Sequence, residues 1–178
     1  MSLLLIGLDE ERGPAVVGRL LQEGDIVGVI EEHHERAPIW RELGAHVALG
    51  SPSDPDLVER AAQHARSIVI FASDPTNAPV VLDGVLEGAR LTPGEAARVI
   101  YLSDDDDPAA RATLDASAFD YVMLRVGRRG RFVRRGSVVT VEDLAEAVSA
   151  ADDLAGEPRL SIDLTSDEGW RALHLDPR

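Results

Sequence analysis

Leu3-Leu4-Leu5-Ile6-Gly7-Leu8-Asp9-Glu10-Glu11-Arg12-Gly13-Pro14 stands near the start of the chain, and a helical pattern follows it. A short apolar run that ends in glycine and leads to a Pro-started periodic segment reads as buried strand, tight turn and helix. Gly7 and Gly13 fall on the first and third positions of a G-x-x-G-x-x-G dinucleotide-binding turn, with Glu10 on the second. The second glycine normally lets the backbone approach a pyrophosphate. A carboxylate there fills the space and repels the ligand. One carboxylate about 4 Å from one phosphate charge costs roughly 4 kcal/mol at an effective dielectric of about 20. Every ~1.4 kcal/mol is tenfold, so micromolar binding would fall to tens of micromolar or millimolar. If residues 8–12 loop out and Glu10 faces solvent, the helix N-terminus at Gly13 stays open to an anion.

Outward from this turn, short apolar runs alternate with helical patterns, the signature of a doubly wound parallel sheet with helices on both faces, an α/β three-layer domain. Candidate strands are 3–7, 26–30, 46–49, 67–72, 99–102 and 121–125, with a final one at 159–164. Helices are expected to begin near Gly13, His34, Pro55, Thr76 and Pro108. Ser53-Asp54-Pro55-Asp56 offers an N-cap serine, and Thr140-Val141-Glu142-Asp143 resembles a capping box before a helix faced by Leu144, Ala147, Val148 and Ala151. Residues 1–164 read as one domain. Residues 165–178 read as a polar tail, docked or frayed, carrying Trp170 and Leu173. Glu31 closes the second apolar run, where a ribose-binding acid would stand. With Glu32 beside it, it favours NAD over NADP, because a carboxylate accepts the 2′-OH and repels a 2′-phosphate.

Composition narrows the function classes. A net charge of -14 argues against nucleic acid as the main partner. With no cysteine there are no disulfides, thiol nucleophiles or thiolate metal sites. No leader pattern and no apolar run near ~18 residues is visible, so a cytoplasmic protein without membrane association is expected. All 18 basic residues are arginine. The absence of lysine excludes Schiff-base chemistry, a Walker-A lysine and any lysine that lowers a tyrosine pKa.

Arg125, Arg128, Arg129, Arg131, Arg134 and Arg135, spaced by Gly127, Gly130 and Gly136, make a basic island in this acidic chain. It would hold an anionic ligand or an acidic protein partner, or else simply balance nearby acids. Glu31-Glu32-His33-His34-Glu35 lacks metal-ligand spacing and reads as a solvated helix start. The run Asp104-Asp105-Asp106-Asp107 complements a helix dipole more readily than it binds a cation. No metal is expected. Tyr101 and Tyr121 lie in strands and read as core, and Trp40 as a packing residue.

Five segments together carry a resemblance: the glycine turn; Leu20-Leu21-Gln22-Glu23-Gly24-Asp25; Gly44-Ala45-His46-Val47-Ala48-Leu49-Gly50-Ser51-Pro52-Ser53-Asp54; Val99-Ile100-Tyr101-Leu102-Ser103; and Phe119-Asp120-Tyr121-Val122-Met123-Leu124-Arg125, followed by Val139-Thr140-Val141-Glu142-Asp143-Leu144-Ala145. Over residues 3–164 the chain resembles the atypical short-chain dehydrogenase/reductases of the NmrA-like and biliverdin-reductase-B-like kind. The regulatory nucleotide-binding domains of potassium channels and transporters share only the first half. The resemblance implies a Rossmann-type domain with NAD, if any cofactor, near Gly7, Glu10, Gly13, Glu31, Ser51 and Ala72. Ser51 stands where the family places an aspartate that approaches adenine. The family's Tyr-x-x-x-Lys pair, counted back from Tyr121, falls near Ser103 and Asp107 and is missing, so no catalytic residue is assigned. Three readings stand: a degenerate ligand- or partner-binding regulator with weak or lost NAD(P) binding; an NAD(P)H-dependent reductase; and a structural or assembly subunit whose crevice above Gly7 and Ala72 is closed, or a regulatory nucleotide-binding domain of the potassium-transport type.

Overall fold

Leu3 and Leu5 point to one side of the first strand and Leu4 and Ile6 to the other, and all four are buried. A strand buried on both faces must lie inside a sheet covered on both sides. The computed structural model describes residues 2–72, 76–93, 97–127, 141–156 and 158–174. Among these, β1 (Ser2–Ile6), β2 (Ile26–Glu31), β3 (His46–Leu49), β4 (Ser67–Ala72), β5 (Arg98–Ser103), β6 (Tyr121–Arg125) and β7 (Arg159–Asp163) form one sheet. Its order is β3-β2-β1-β4-β5-β6-β7, with every neighbouring pair parallel. The doubly wound Rossmann architecture expected from the sequence is therefore present.

The helices are α1 (Gly13–Gln22), α2 (Ala37–Leu43), α3 (Pro55–Ala61), α4 (Ala78–Leu91), α5 (Pro108–Ala116), α6 (Val141–Asp153) and α7 (Asp167–His174). One core layer joins Leu3, Leu5 and Val69 to Val16, Val17 and Leu20 of α1, Trp40 of α2, and Leu144 and Val148 of α6. The other joins Leu4, Ile6 and Ile68 to Val58 of α3, Val85 of α4 and Leu114 of α5. The segment 165–174 is docked: Leu173 is buried and Trp170 Nε1 donates to the Leu164 carbonyl at 2.8 Å.

Several boundaries differ from expectation. The cap of α3 is Asp54, not Ser53; its carboxylate accepts from the Asp56 amide at 3.0 Å. Pro55 takes the first helical position, which leaves Asp54 as the flanking residue, and Ser53 is pressed instead against Gly84 of α4. Helix α2 begins at Ala37 rather than His34, because residues 34–36 form a turn. Helix α4 begins at Ala78, with Pro79 in its first turn. Thr140, and with it the expected capping box, lies outside the described residues, as do Arg128, Arg129, Arg131, Arg134 and Arg135.

Candidate functional site

The chain runs outward from β1 in both directions, to β2 and β3 on one side and to β4 on the other. In open α/β sheets this reversal creates the ligand crevice at the carboxyl ends of the strands. Ile6, Glu31, Ala72, Ser103 and Arg125 end their strands here. Gly7 turns the chain at φ +76°, and a Cβ on it would run into the Phe71 carbonyl. Only glycine satisfies both demands.

After Gly7 the chain coils once before α1 starts, with the Gly13 amide donating to the Asp9 carbonyl at 3.0 Å. That coil turns Asp9 inward and Glu10 outward. Asp9 Oδ1 accepts from the amides of Glu11 (3.0 Å) and Arg12 (2.5 Å), and Oδ2 accepts from Arg12 Nε at 2.6 Å. Burial alone would raise the Asp9 carboxyl, but these donors outweigh it and hold the group below the usual carboxylate value. Arg12 also reaches Asp104, at 3.7 Å, tying the turn to the loop after β5. Glu10 is 69% exposed and pairs with Arg36 Nε at 3.4 Å. Of the two sequence alternatives, the side chain thus adopts the solvent-facing one.

Glu31 is 5% exposed. Its Oε1 accepts from the His33 amide at 3.0 Å, and its Oε2 accepts from Trp40 Nε1 at 2.8 Å. Arg36 lies 3.5 Å from the same carboxylate, 6.0 Å from the centre of the Trp40 ring, and donates from Nη2 to the Leu8 carbonyl at 2.6 Å. Trp40 is wedged against Gly13, where a Cβ would meet its ring at 2.6 Å. The packing role read for Trp40 is present, together with a hydrogen bond that its sequence context does not announce. Ser51 Oγ donates to Glu32 at 2.6 Å and lies 2.9 Å from Ser53 Oγ.

On the β4 side, Ala72, Ser103 and Arg125 stand in one row across β4, β5 and β6. Arg12, Ala72, Ser103, Asp104, Val126 and Leu144 help line a cavity of about 10 Å³, room for roughly one water. Where the proton-donating pair of the resembled family would fall, Ser103 Oγ donates to the Asp105 carbonyl and Asp107 caps α5 through the Ala110 amide. Tyr101 is buried and donates to Asp107 at 2.7 Å; burial first, and this carboxylate second, push its phenol well above the usual value. The structure thus brings Gly7, Glu10, Gly13 and Glu31 around one turn and places Ser51 and Ala72 on either side of it. Sequence reading passed over Asp9 and Arg36. An aspartate two residues after the glycine and just before a helix start was the available signal for the first.

No family model matches this sequence, and no curated relative matches it. Among solved structures, the chain is similar to ChuY, an anaerobillin reductase from Escherichia coli O157:H7, at TM-score 0.71 and 17% identity, covering 92% of this chain and 96% of that one. A short-chain dehydrogenase/reductase from Veillonella parvula matches at TM-score 0.67 and 16% identity over 91% of this chain and 92% of the other. The Citrobacter sp. triphenylmethane reductase complexed with NADP(H) matches at TM-score 0.66 and 18% identity, over 91% of this chain and 69% of that one. These likenesses show the fold: the chain shares a Rossmann-type α/β architecture with solved reductases of this kind, the fold expected from the resemblance over residues 3–164. Among the described residues, no helix is long and apolar enough to cross a membrane.

Proposed function

We propose that this protein is a degenerate short-chain-dehydrogenase-like binding domain, with weak affinity for NAD(P) and a regulatory rather than a turnover role. The observation that carries the reading is the engagement of Glu31. A carboxylate that is almost fully buried and already accepts from Trp40 and the His33 amide has little left to offer a ribose hydroxyl. Breaking those contacts to admit a ligand leaves buried groups unpaired, at about 1–3 kcal/mol each. The missing proton-donating pair and the absence of lysine support the same reading from the side of chemistry. The arginines 128, 129, 131, 134 and 135, which follow β6 in sequence, would attract an anionic ligand or an acidic partner.

The second reading, an NAD(P)H-dependent reductase, is supported by the company of solved reductases and by the near-equal length of this chain and ChuY. In that case the cofactor supplies the hydride and the protein positions it. Calorimetric titration of the wild type with NADH and NADPH separates the two. The regulatory reading expects no saturation below millimolar concentration and no acceptor reduction. Saturation in the micromolar range with steady oxidation of NADH or NADPH replaces it with the reductase.

A further inference from the structure

We infer that Asp9, rather than Glu10, is the residue that keeps a dinucleotide diphosphate off the glycine turn. The inference rests on the weak-binding reading above and names its cause. A diphosphate at the start of α1 needs free amide N–H groups and the positive end of the helix dipole. Two amides of the turn that leads into α1, Glu11 and Arg12, are donated to Asp9 Oδ1, at 3.0 and 2.5 Å. The Arg12 guanidinium, the cation closest to hand, is donated to Asp9 Oδ2 at 2.6 Å. The protein's own carboxylate therefore stands in for the anion.

Glu10 has no comparable hold on the turn. It is mostly exposed, and its carboxylate pairs with Arg36 at 3.4 Å. A solvated, paired carboxylate is a weak barrier. A ligand arriving at the turn must displace Asp9 from three donors, whereas Glu10 has only to stay where it is. The sequence pattern points at position 10 because glycine is expected there. The contacts point one residue earlier.

The test is calorimetric titration of NADH and NADPH into the wild type, Asp9→Ala, Asp9→Asn and Glu10→Gly, each first checked for native melting. Asp9→Ala is expected to bind at least about tenfold more tightly than the wild type. Glu10→Gly is expected to stay within about threefold of it. Asp9→Asn keeps a carbonyl oxygen for the two amides and should remain close to the wild type. A larger gain in Glu10→Gly than in Asp9→Ala overturns the inference, as does an Asp9→Asn gain equal to that of Asp9→Ala, which would assign the block to charge alone. Should Asp9→Ala fail to fold, amide resonances of the wild type under millimolar NADH decide the matter. Unmoved Glu11 and Arg12 amides uphold the inference, and displaced ones overturn it. A wild type that binds at micromolar concentration refutes the proposed function. A weak wild type with a folded Asp9→Ala no tighter refutes only the assignment to Asp9.

Discussion

Gly13 and Trp40 show how a single residue's size is set by a distant one. A Cβ at Gly13 would lie 2.6 Å from the Trp40 ring and 3.1 Å from Leu8 Cβ. The ring has little freedom to retreat, because it is buried and its Nε1 is tied to Glu31. Gly13→Ala is therefore expected to cost about 1–3 kcal/mol in urea unfolding, the usual penalty for overpacking a tight core. It should also shift Trp40 emission. A loss below about 0.5 kcal/mol, within the scatter of surface substitutions, would show that the ring gives way. At this scale the sequence was legible in identity but not in direction. Glu10 was visible as an anomaly, whereas Asp9 passed unnoticed, since which of two adjacent acids faces inward depends on how the chain coils after Gly7.

Between elements, α3 and α4 approach closely through glycines four residues apart. A Cβ at Gly84 would come 2.6 Å from Ser53 Cα, and one at Gly88 would come 2.6 Å from Val58 Cβ. Gly18 in α1, by contrast, has open space around it. The same substitution should thus have opposite signs on the two helices. Gly18→Ala is expected to stabilise by about 0.5–1 kcal/mol through helix propensity. Gly88→Ala is expected to destabilise by about 1–3 kcal/mol because packing outweighs that gain. Paired denaturation curves check both signs. Element order as far as β7, and most boundaries, were legible from hydrophobic runs and Pro-marked helix starts; α7 was not. The cap of α3 was not, because the choice between Ser53 and Asp54 was made by Pro55 and by the pressure of Gly84.

Across the whole molecule, acid groups are unevenly housed. Burial would raise the Asp163 carboxyl, but donation from Arg125 and Thr165 holds it below the ordinary 3.8. Asp163 therefore contributes stability that is complete above that value and lost as pH falls through the lower folded pKa. Asp25 is the reverse case: burial, with Asp152 and Glu23 nearby, raises its carboxyl above 3.8. Its charged form costs stability at neutral pH, and the cost is relieved as pH falls through the raised value. Thermal melts from pH 7 to pH 3 should show Asp163→Asn less stable than the wild type at pH 7, with the gap closing in acid. Asp25→Asn should be more stable at pH 7, and that gap should also close. Reversed signs in either variant would contradict the assigned environments.

The order of the strands and of the helices as far as α6, the glycine turn after β1 and the exclusion of lysine chemistry were all determined by the sequence alone, whereas α7 falls in what reads as a polar tail. They follow from periodicity, from backbone geometry that few residues satisfy, and from composition. Tertiary structure alone decided the use of the three carboxylates around that turn. Asp9 is drawn onto the amides of the turn that leads into α1, Glu10 is released to solvent and Arg36, and Glu31 is buried under Trp40. The physical reason is that a carboxylate's role depends on the donors that surround it in space: for Asp9 they come from the coil that follows Gly7, and for Glu10 and Glu31 from α2 and the turn after β2, which the folded sheet brings to that coil.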